Sequence, residues 1–396
     1  MSTTSTPPTP STHGSEQSVR WHATWAQSLP DVRADGEWFA DVTLRSHLRV
    51  SAGGDRVRLQ FGNRFGDHPL RIGRSAVSTR GRTAAATFDG RDGVTVPVGS
   101  SVLTDPIDLP VGHHGAVKVD FHLPERTLFP PLFAGSGDFT CQMSEPGDHV
   151  GAAAFPAVTA PPFPMPDDAD LTLHESGPFL RTVEVANRVP HAVVVCLGDS
   201  ITAMGWPEIA AGLLPGGSGL SVVNRGIPGN RLRLDAGPAN LSNGRSGLSR
   251  FEDDVLKTAG VAQVVVALGT NDLGLPGAFE PLGELPTAAE LIAGYETLLE
   301  RAGTADVRVR IATITARSGS DDYDERREQI RGAVNDWMIR ALGPEVVIDF
   351  DKALRCDTSP LRLDRRYDSG DHLHPSAAGQ EQLARTAVAA LLAELP

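Results

Sequence analysis

Cysteine is scarce in this sequence of 396 residues, which contains Cys141, Cys196 and Cys356 without any Cys-x-x-Cys spacing. A sparse, odd-numbered set argues against a disulfide framework and against a cysteine-ligated metal site. Long apolar runs are also missing, since none approaches the ~20 residues that a bilayer-spanning helix needs. We therefore expect no metal site and no membrane span.

Basic residues are the minority charge, because 36 Lys and Arg stand against 49 Asp and Glu and give a net charge of −13. No basic run with interleaved aromatic residues occurs, so nucleic acid and anionic membranes are not expected as partners. The first residues lack the charged and then apolar segments of a signal peptide. We therefore expect a cytoplasmic protein, with secretion through a trimmed leader left open.

The first half of the sequence has the pattern of a β-rich domain. Residues 1–19 are rich in Ser, Thr and Pro, which is typical of a disordered tail. From residue 20, short runs alternate apolar and polar residues, as in RVRLQF at 56–61, with Gly, Asp and Pro between the runs. This pattern predicts a β-sandwich over residues 20–180 that includes a stiff, Pro-rich connector at 155–166.

Residues 181–396 alternate between short apolar runs and helical patterns. The candidate strands are Val193–Leu197, Ser221–Asn224, Val264–Leu268, Val307–Thr313 and Val346–Phe350. The candidate helices are Pro207–Leu214, Leu248–Ala259, Ala288–Ala302, Asp324–Leu342 and Ala377–Leu395. Strands that alternate with helices of this length predict an α/β domain with a parallel sheet covered on both faces.

Polar residues follow several of these strands at the points where the strands end. They are Ser200 in GDSIT, Gly226 and Gly229 in NRGIPGN, Asn271 in GTND, and Asp371 and His374 before the last helix. The loops after parallel strands gather at one edge of the sheet, which is where open α/β folds bind their ligands. We expect these residues to converge there.

This set of residues suits acyl transfer. A serine hydroxyl becomes a good nucleophile only when a base removes its proton, and His374 is the candidate base for Ser200. Asp371 is the candidate for orienting that ring, since a carboxylate three residues before a histidine can reach its Nδ1. The backbone N–H groups of Ser200 and Gly229 and the Asn271 amide are candidate oxyanion donors.

Several neighbouring residues have other interpretations. Gly226 is the rival of Gly229 but is expected to be a turn residue, and His372 is expected to be structural or solvent-facing. Asp199 and Asp272 are expected to fix their loops through hydrogen bonds to backbone amides. Trp206 closely follows the nucleophile and is a candidate for lining the substrate pocket.

In chain order, GDSIT, the glycine in NRGIPGN, GTND and DHLHP resemble the four sequence blocks of the SGNH/GDSL hydrolases, and this resemblance runs from Val193 to the C-terminus. The N-terminal half is similar to a two-domain subgroup with an N-terminal β-sandwich, on a TLR segment at 43–45 and on GGDRVRLQFGNRFG. The resemblance implies a flavodoxin-like three-layer α/β/α domain without a cofactor. It also implies the roles given above to Ser200, Gly229, Asn271, Asp371 and His374.

The sequence thus predicts a serine esterase that hydrolyses carboxylic esters through an acyl-enzyme. Short acyl groups on carbohydrates or small-molecule alcohols are the first expectation, because no long apolar lid is evident. Lipid, lysophospholipid or thioester hydrolysis and acyl transfer to an alcohol are the alternatives within the same chemistry. A carbohydrate-binding protein with an inactive hydrolase domain is the alternative outside it.

Overall fold

The computed structural model describes residues 19–29, 38–64, 66–129, 139–158, 177–187 and 191–393. The predicted tail, apart from residue 19, and residues 159–166 of the predicted connector lie outside these ranges. Within the described ranges, no helix combines the length and the apolar composition needed to cross a bilayer.

The N-terminal domain is built from antiparallel strands. These are β1 Arg20–Ala26, β2 Trp38–Phe39, β3 Val42–Arg49, β4 Arg56–Asn63, β5 Leu70–Ile72, β6 Ser75–Thr79, β7 Arg82–Ala85, β8 Val94–Val96, β9 Ser100–Leu103, β10 Ala116–Leu123, β11 Thr127–Leu128, β12 Thr140–Pro146 and β13 Leu180–Asn187. The two main sheets have the strand orders β1-β13-β4-β9 and β12-β3-β10-β6-β7.

The two sheets share one apolar core, as the alternating pattern predicts. In β4, Val57, Leu59 and Phe61 are fully buried, whereas the intervening polar residues are partly exposed. Phe61 meets Phe121 of β10 in the other sheet, with 5.1 Å between the ring centroids. The predicted β-sandwich is therefore confirmed.

Strand β13 shifts the predicted domain division. It pairs with β1 on one side and with β4 on the other, so its residues belong to the sandwich sheet. The N-terminal domain consequently extends to Asn187 and not only to residue 180, because a strand hydrogen-bonded on both sides cannot be separated from its sheet.

The C-terminal domain alternates strands and helices. Its strands are β14 Ala192–Gly198, β15 Leu220–Gly226, β16 Val261–Ala267, β17 Arg308–Ala312, β18 Val347–Ile348, β19 Arg355–Cys356 and β20 Ser359–Leu363. Its helices are α1 Ser200–Ala203, α2 Trp206–Leu213, α3 Gly247–Phe251, α4 Thr270–Gly274, α5 Ala288–Thr304, α6 Glu325–Trp337, α7 Phe350–Leu354 and α8 Ala377–Leu392.

The central sheet of this domain is parallel, with the order β15-β14-β16-β17-β18. Counted from the first strand of the domain, this is the flavodoxin-like order 2-1-3-4-5. Successive residues of β14 enter opposite cores, with Val193 and Val195 on one face and Val194 and Cys196 on the other. Both faces are covered, so the predicted three-layer α/β/α arrangement is confirmed.

Some helices differ from their predicted extent. The segment predicted as one helix from Leu248 is α3 followed by a π-helical turn at Glu252–Leu256. Likewise, α6 continues into a π-helical turn at Met338–Leu342. The β19–β20 hairpin and α7 were not predicted, because elements this short carry little periodic signal.

The sandwich packs against the edge of the parallel sheet through β1. Ala23 and Ala26 are buried within the apolar core of the C-terminal domain. The Ala23 N–H donates to the Ala259 carbonyl at 2.9 Å, and the hydroxyls of Ser51 and Ser221 lie 2.6 Å apart. The edge strand β15 is thereby covered by the N-terminal domain.

Candidate active site

Ser200 lies at the carboxyl edge of the parallel sheet, where β14 passes directly into α1. Asp199 is the N-cap of α1, and its Oδ1 accepts a hydrogen bond from the Ile201 N–H at 3.0 Å. The Ser200 N–H lies in the first turn of α1. The N–H groups of a first turn have no carbonyl partner within their helix. A buried strand and a capped turn thus hold both the hydroxyl and the N–H of Ser200 at a fixed place.

His374 and Asp371 lie in the loop before α8 and reach the serine from there. His374 Nε2 is 2.9 Å from Ser200 Oγ, and His374 Nδ1 is 2.5 Å from Asp371 Oδ2. The other Asp371 oxygen accepts the N–H groups of Leu373 and His374, at 3.0 and 2.8 Å. The backbone of the loop therefore orients the carboxylate toward the imidazole.

The electrostatics of this loop set the tautomer of His374. Partial burial raises the pKa of Asp371. The hydrogen bonds from the His374 side chain and backbone and from the Leu373 backbone outweigh this effect, so the net pKa is lowered from 3.8 to about 2. An ionised carboxylate can only accept hydrogen bonds, so Nδ1 carries the proton. Nε2 is then left as the acceptor for the Ser200 hydroxyl.

Gly229 lies in the loop after β15, and Asn271 lies in the first turn of α4, in the connection that follows β16. Gly229 has a φ of +75°, and a Cβ there would lie 2.4 Å from the Asn243 side chain, so the position requires glycine. Asn271 Nδ2 donates to the carbonyl of Asn230 at 3.1 Å. Its second amide hydrogen remains as a possible donor to an oxyanion. The strands β15 and β16 lie on either side of β14.

Asp199 and Asp272 accept hydrogen bonds from backbone amides, as predicted: Asp199 caps α1 after β14, and Asp272 holds the segment that follows Gly229. Asp272 Oδ2 accepts the Leu232 N–H at 2.6 Å, and its Oδ1 accepts the Arg233 N–H at 3.1 Å. Burial raises the pKa of Asp272 to about 6, although these N–H groups favour the ionised form. Burial likewise raises the pKa of Asp199 to about 7, against the hydrogen bond from Ile201.

Gly226, the alternative to Gly229, and His372, the neighbour of His374, each have a structural environment of their own. Gly226 ends β15 without a positive φ, and a Cβ there would meet the backbone of Ala203 at 2.4 Å. His372 Nδ1 lies 2.6 Å from Asp368 Oδ2, and its ring rests against Gly319. His372 thus forms a pair of its own beside the His374–Asp371 pair.

Trp206 is a core residue and does not line a pocket, which corrects our expectation. Its side chain is fully buried, and its ring packs edge-on against Phe350 with 5.4 Å between the centroids. The indole N–H donates to Thr202 Oγ1 at 3.3 Å. The start of α2 turns this residue inward, because that helix packs on α8 and on the sheet.

Arg250 is a residue of the site that sequence reasoning missed. Its guanidinium donates to the Gly198 carbonyl at 2.8 Å and to Asn230 Oδ1 at 3.0 Å, beside the serine and the Gly229 loop. In the sequence it forms an i,i+4 pair with Asp254, which is also the common pattern of solvated helices.

The described part of the chain offers no evident metal centre, because no group of three or more His, Cys, Asp or Glu side chains there is arranged to hold an ion.

Residues 196–382 match the model of the GDSL-like Lipase/Acylhydrolase family. The C-terminal domain belongs to this family. The matched range contains Ser200, Asp371 and His374, and membership makes this GDSL domain a carboxylic ester hydrolase. The strand-rich N-terminal domain lies outside the match.

The GDSL domain also has solved structural neighbours. A carbohydrate acetylesterase family member from Sinorhizobium meliloti is 18% identical, with a TM-score of 0.40, over 52% of this chain and 99% of that chain. An acetylxylan esterase from Geobacillus stearothermophilus is 21% identical, with a TM-score of 0.39, over 51% of this chain and 95% of that chain. No curated protein matches the chain.

Proposed function

We propose that this protein is a serine esterase in which Ser200 is the nucleophile, His374 the general base and Asp371 the residue that orients the base. The observation that carries the proposal is the continuous line from Ser200 Oγ through the His374 ring to Asp371, with heavy-atom distances of 2.9 and 2.5 Å. These distances lie within the reach required for proton transfer. The ionised Asp371 stabilises the imidazolium that forms when His374 takes the serine proton.

The reaction then proceeds in two halves. Ser200 Oγ attacks the ester carbonyl, and His374 returns the proton to the leaving alcohol as the acyl-enzyme forms. Water, deprotonated by the same ring, attacks the acyl group and releases the acid. In both halves the tetrahedral oxyanion is stabilised by the N–H groups of Ser200 and Gly229 and by Asn271 Nδ2.

The substrates we propose are short acyl esters of carbohydrates or small-molecule alcohols. This preference rests on the sequence, which contains no long apolar segment that could form a lid over a lipid substrate. The His374 side chain is 28% exposed, which gives water access to the base and favours hydrolysis over transfer.

A panel of p-nitrophenyl esters from acetyl to decanoyl, together with acetylated sugars, tests the proposal. We expect the highest kcat/KM for acetyl to butyryl esters and labelling of Ser200 by a fluorophosphonate probe. Ser200→Ala should abolish both hydrolysis and labelling without changing the circular dichroism spectrum. Labelling at another residue would refute the assigned nucleophile.

The same panel separates the alternative substrates. A maximum at decanoyl would favour lipid esters, and faster turnover of acyl thioesters would favour thioester hydrolysis. Product analysis with an added alcohol would reveal acyl transfer if a new ester exceeded the free acid.

A further inference from the structure

A buried carboxylate joins the two domains behind the active site. Asp254, which is 5% exposed, accepts hydrogen bonds from Ser28 Oγ at 2.7 Å and from Arg181 Nη2 at 2.8 Å. Both donors belong to the sandwich. Arg250 Nη1, from the GDSL domain, donates to the same carboxylate at 3.1 Å. Burial raises the pKa of Asp254, but Arg225, Arg181 and Arg250 lower it more, so the group is ionised.

The guanidinium of Arg250 continues this network into the active site. Its Nη2 donates to the Gly198 carbonyl at 2.8 Å, two residues before the nucleophile. Its Nε donates to Asn230 Oδ1 at 3.0 Å, and the carbonyl of Asn230 in turn accepts Asn271 Nδ2 at 3.1 Å. One planar cation thus contacts the turn that carries Ser200 and the loop that carries Gly229.

The orientation of Arg250 depends on its partners in the sandwich. A buried guanidinium is stable only when its charge is balanced and its N–H groups are paired, and Arg250 is only 2% exposed. Asp254 provides that charge, and Ser28 Oγ also accepts from Arg250 Nη1 at 3.1 Å. Because the guanidinium is rigid and planar, rotating it to follow a displaced Asp254 would also move the N–H groups that hold Gly198 and Asn230.

We infer that Arg250 is a positioning residue for the nucleophile turn and the oxyanion loop, and that the sandwich sets its position through Ser28, Arg181 and Asp254. The inference rests on the proposed esterase function. It makes the N-terminal domain necessary for fast turnover of even a small ester such as p-nitrophenyl acetate. A displacement of about 1 Å at the reacting groups is sufficient to reduce turnover by about a hundredfold.

The test compares Asp254→Asn and Ser28→Ala with Glu184→Gln in the full chain. Glu184 is a matched control, because it is 3% exposed, lies in the same sandwich sheet and pairs with Arg58 at 2.6 Å. Its substitution removes a buried charge near the interface but no hydrogen bond of Arg250. The substrate is p-nitrophenyl acetate, and the second readout is the rate and final extent of fluorophosphonate labelling.

We expect Asp254→Asn to lower kcat at least about tenfold and Ser28→Ala about threefold, each with KM changed less than about twofold. The labelling rate should fall in parallel, while the labelled fraction stays complete. Glu184→Gln should change kcat less than about twofold. If Asp254→Asn does not fold, Ser28→Ala decides the question, because it removes only one neutral hydroxyl.

Three results would overturn the inference. The first is an unchanged kcat in Ser28→Ala, and the second is a loss in Glu184→Gln equal to that in Asp254→Asn. The third is a lower labelled fraction at an unchanged labelling rate, which would mean partial unfolding and not displaced donors. Failure of the native protein to hydrolyse or label would instead refute the proposed esterase itself.

Discussion

Asp199→Asn should stabilise the protein at alkaline pH and much less at acidic pH. Asp199 is 2% exposed, and burial raises its pKa from the ordinary 3.8 to about 7. A carboxyl group whose pKa is raised by folding does not lower the free energy of unfolding below pH 3.8. It lowers that free energy increasingly as the pH rises from 3.8 toward 7. Asparagine keeps the Oδ1 that accepts the Ile201 N–H, and it is as good an N-cap as aspartate.

The size of the effect follows from the two pKa values. The interval from 3.8 to about 7 corresponds to on the order of 4 kcal/mol of unfolding free energy once Asp199 is fully ionised. At pH 5 only about 1–2 kcal/mol of this penalty is present, because the pH is little above the unfolded value. The excess in unfolding free energy of Asp199→Asn over the native protein should therefore grow by about 3 kcal/mol between pH 5 and pH 8.5.

Urea unfolding of the native protein and the variant at these two pH values measures the difference. Asp324→Asn is the matched control, since Asp324 is also a helix N-cap and accepts the Arg327 N–H at 2.8 Å. Hydrogen bonding to that N–H lowers the pKa of Asp324, so its ionised form is already complete at pH 5 and the control difference should stay constant. A variant advantage that is equal at both pH values would refute the reasoning.

Three further predictions follow from the site. His374→Ala should lower kcat/KM by about 10³-fold or more, whereas His372→Ala should lower it less than about tenfold. Steady-state assays on an acetyl ester compare the two variants, and equal losses would mean that the base is misassigned. Asn271→Ala should lower kcat by about 10²–10³ with little change in KM, and a pure KM effect would make it a substrate-binding residue. Trp206→Phe should lower the free energy of unfolding in urea by roughly 1–3 kcal/mol and leave kcat/KM within about twofold. An altered ester preference without lost stability would show that Trp206 lines the substrate pocket after all.

Much of the fold was predictable because its signals are local. Each parallel strand is buried on both faces, so it appears as an apolar run, and β14 is the clearest case, with Val193 to Leu197 fully buried. The alternation in β4 similarly indicates a sheet with one buried face. The place of β13 was not predictable, because the same residues could have been a linker until their pairing with β1 and β4 was known.

The sequence by itself determined the order of the motifs and the residue types at the ends of the strands, and those were sufficient to nominate Ser200, Asp371 and His374. A parallel sheet brings such loops to one edge whatever the details of packing. The tertiary structure alone decided which side chains are buried. Trp206 faces the core, and the Arg250–Asp254 pair became an interdomain link because the sandwich covers α3. Burial depends on what packs above a residue, and that information lies in residues distant in the chain.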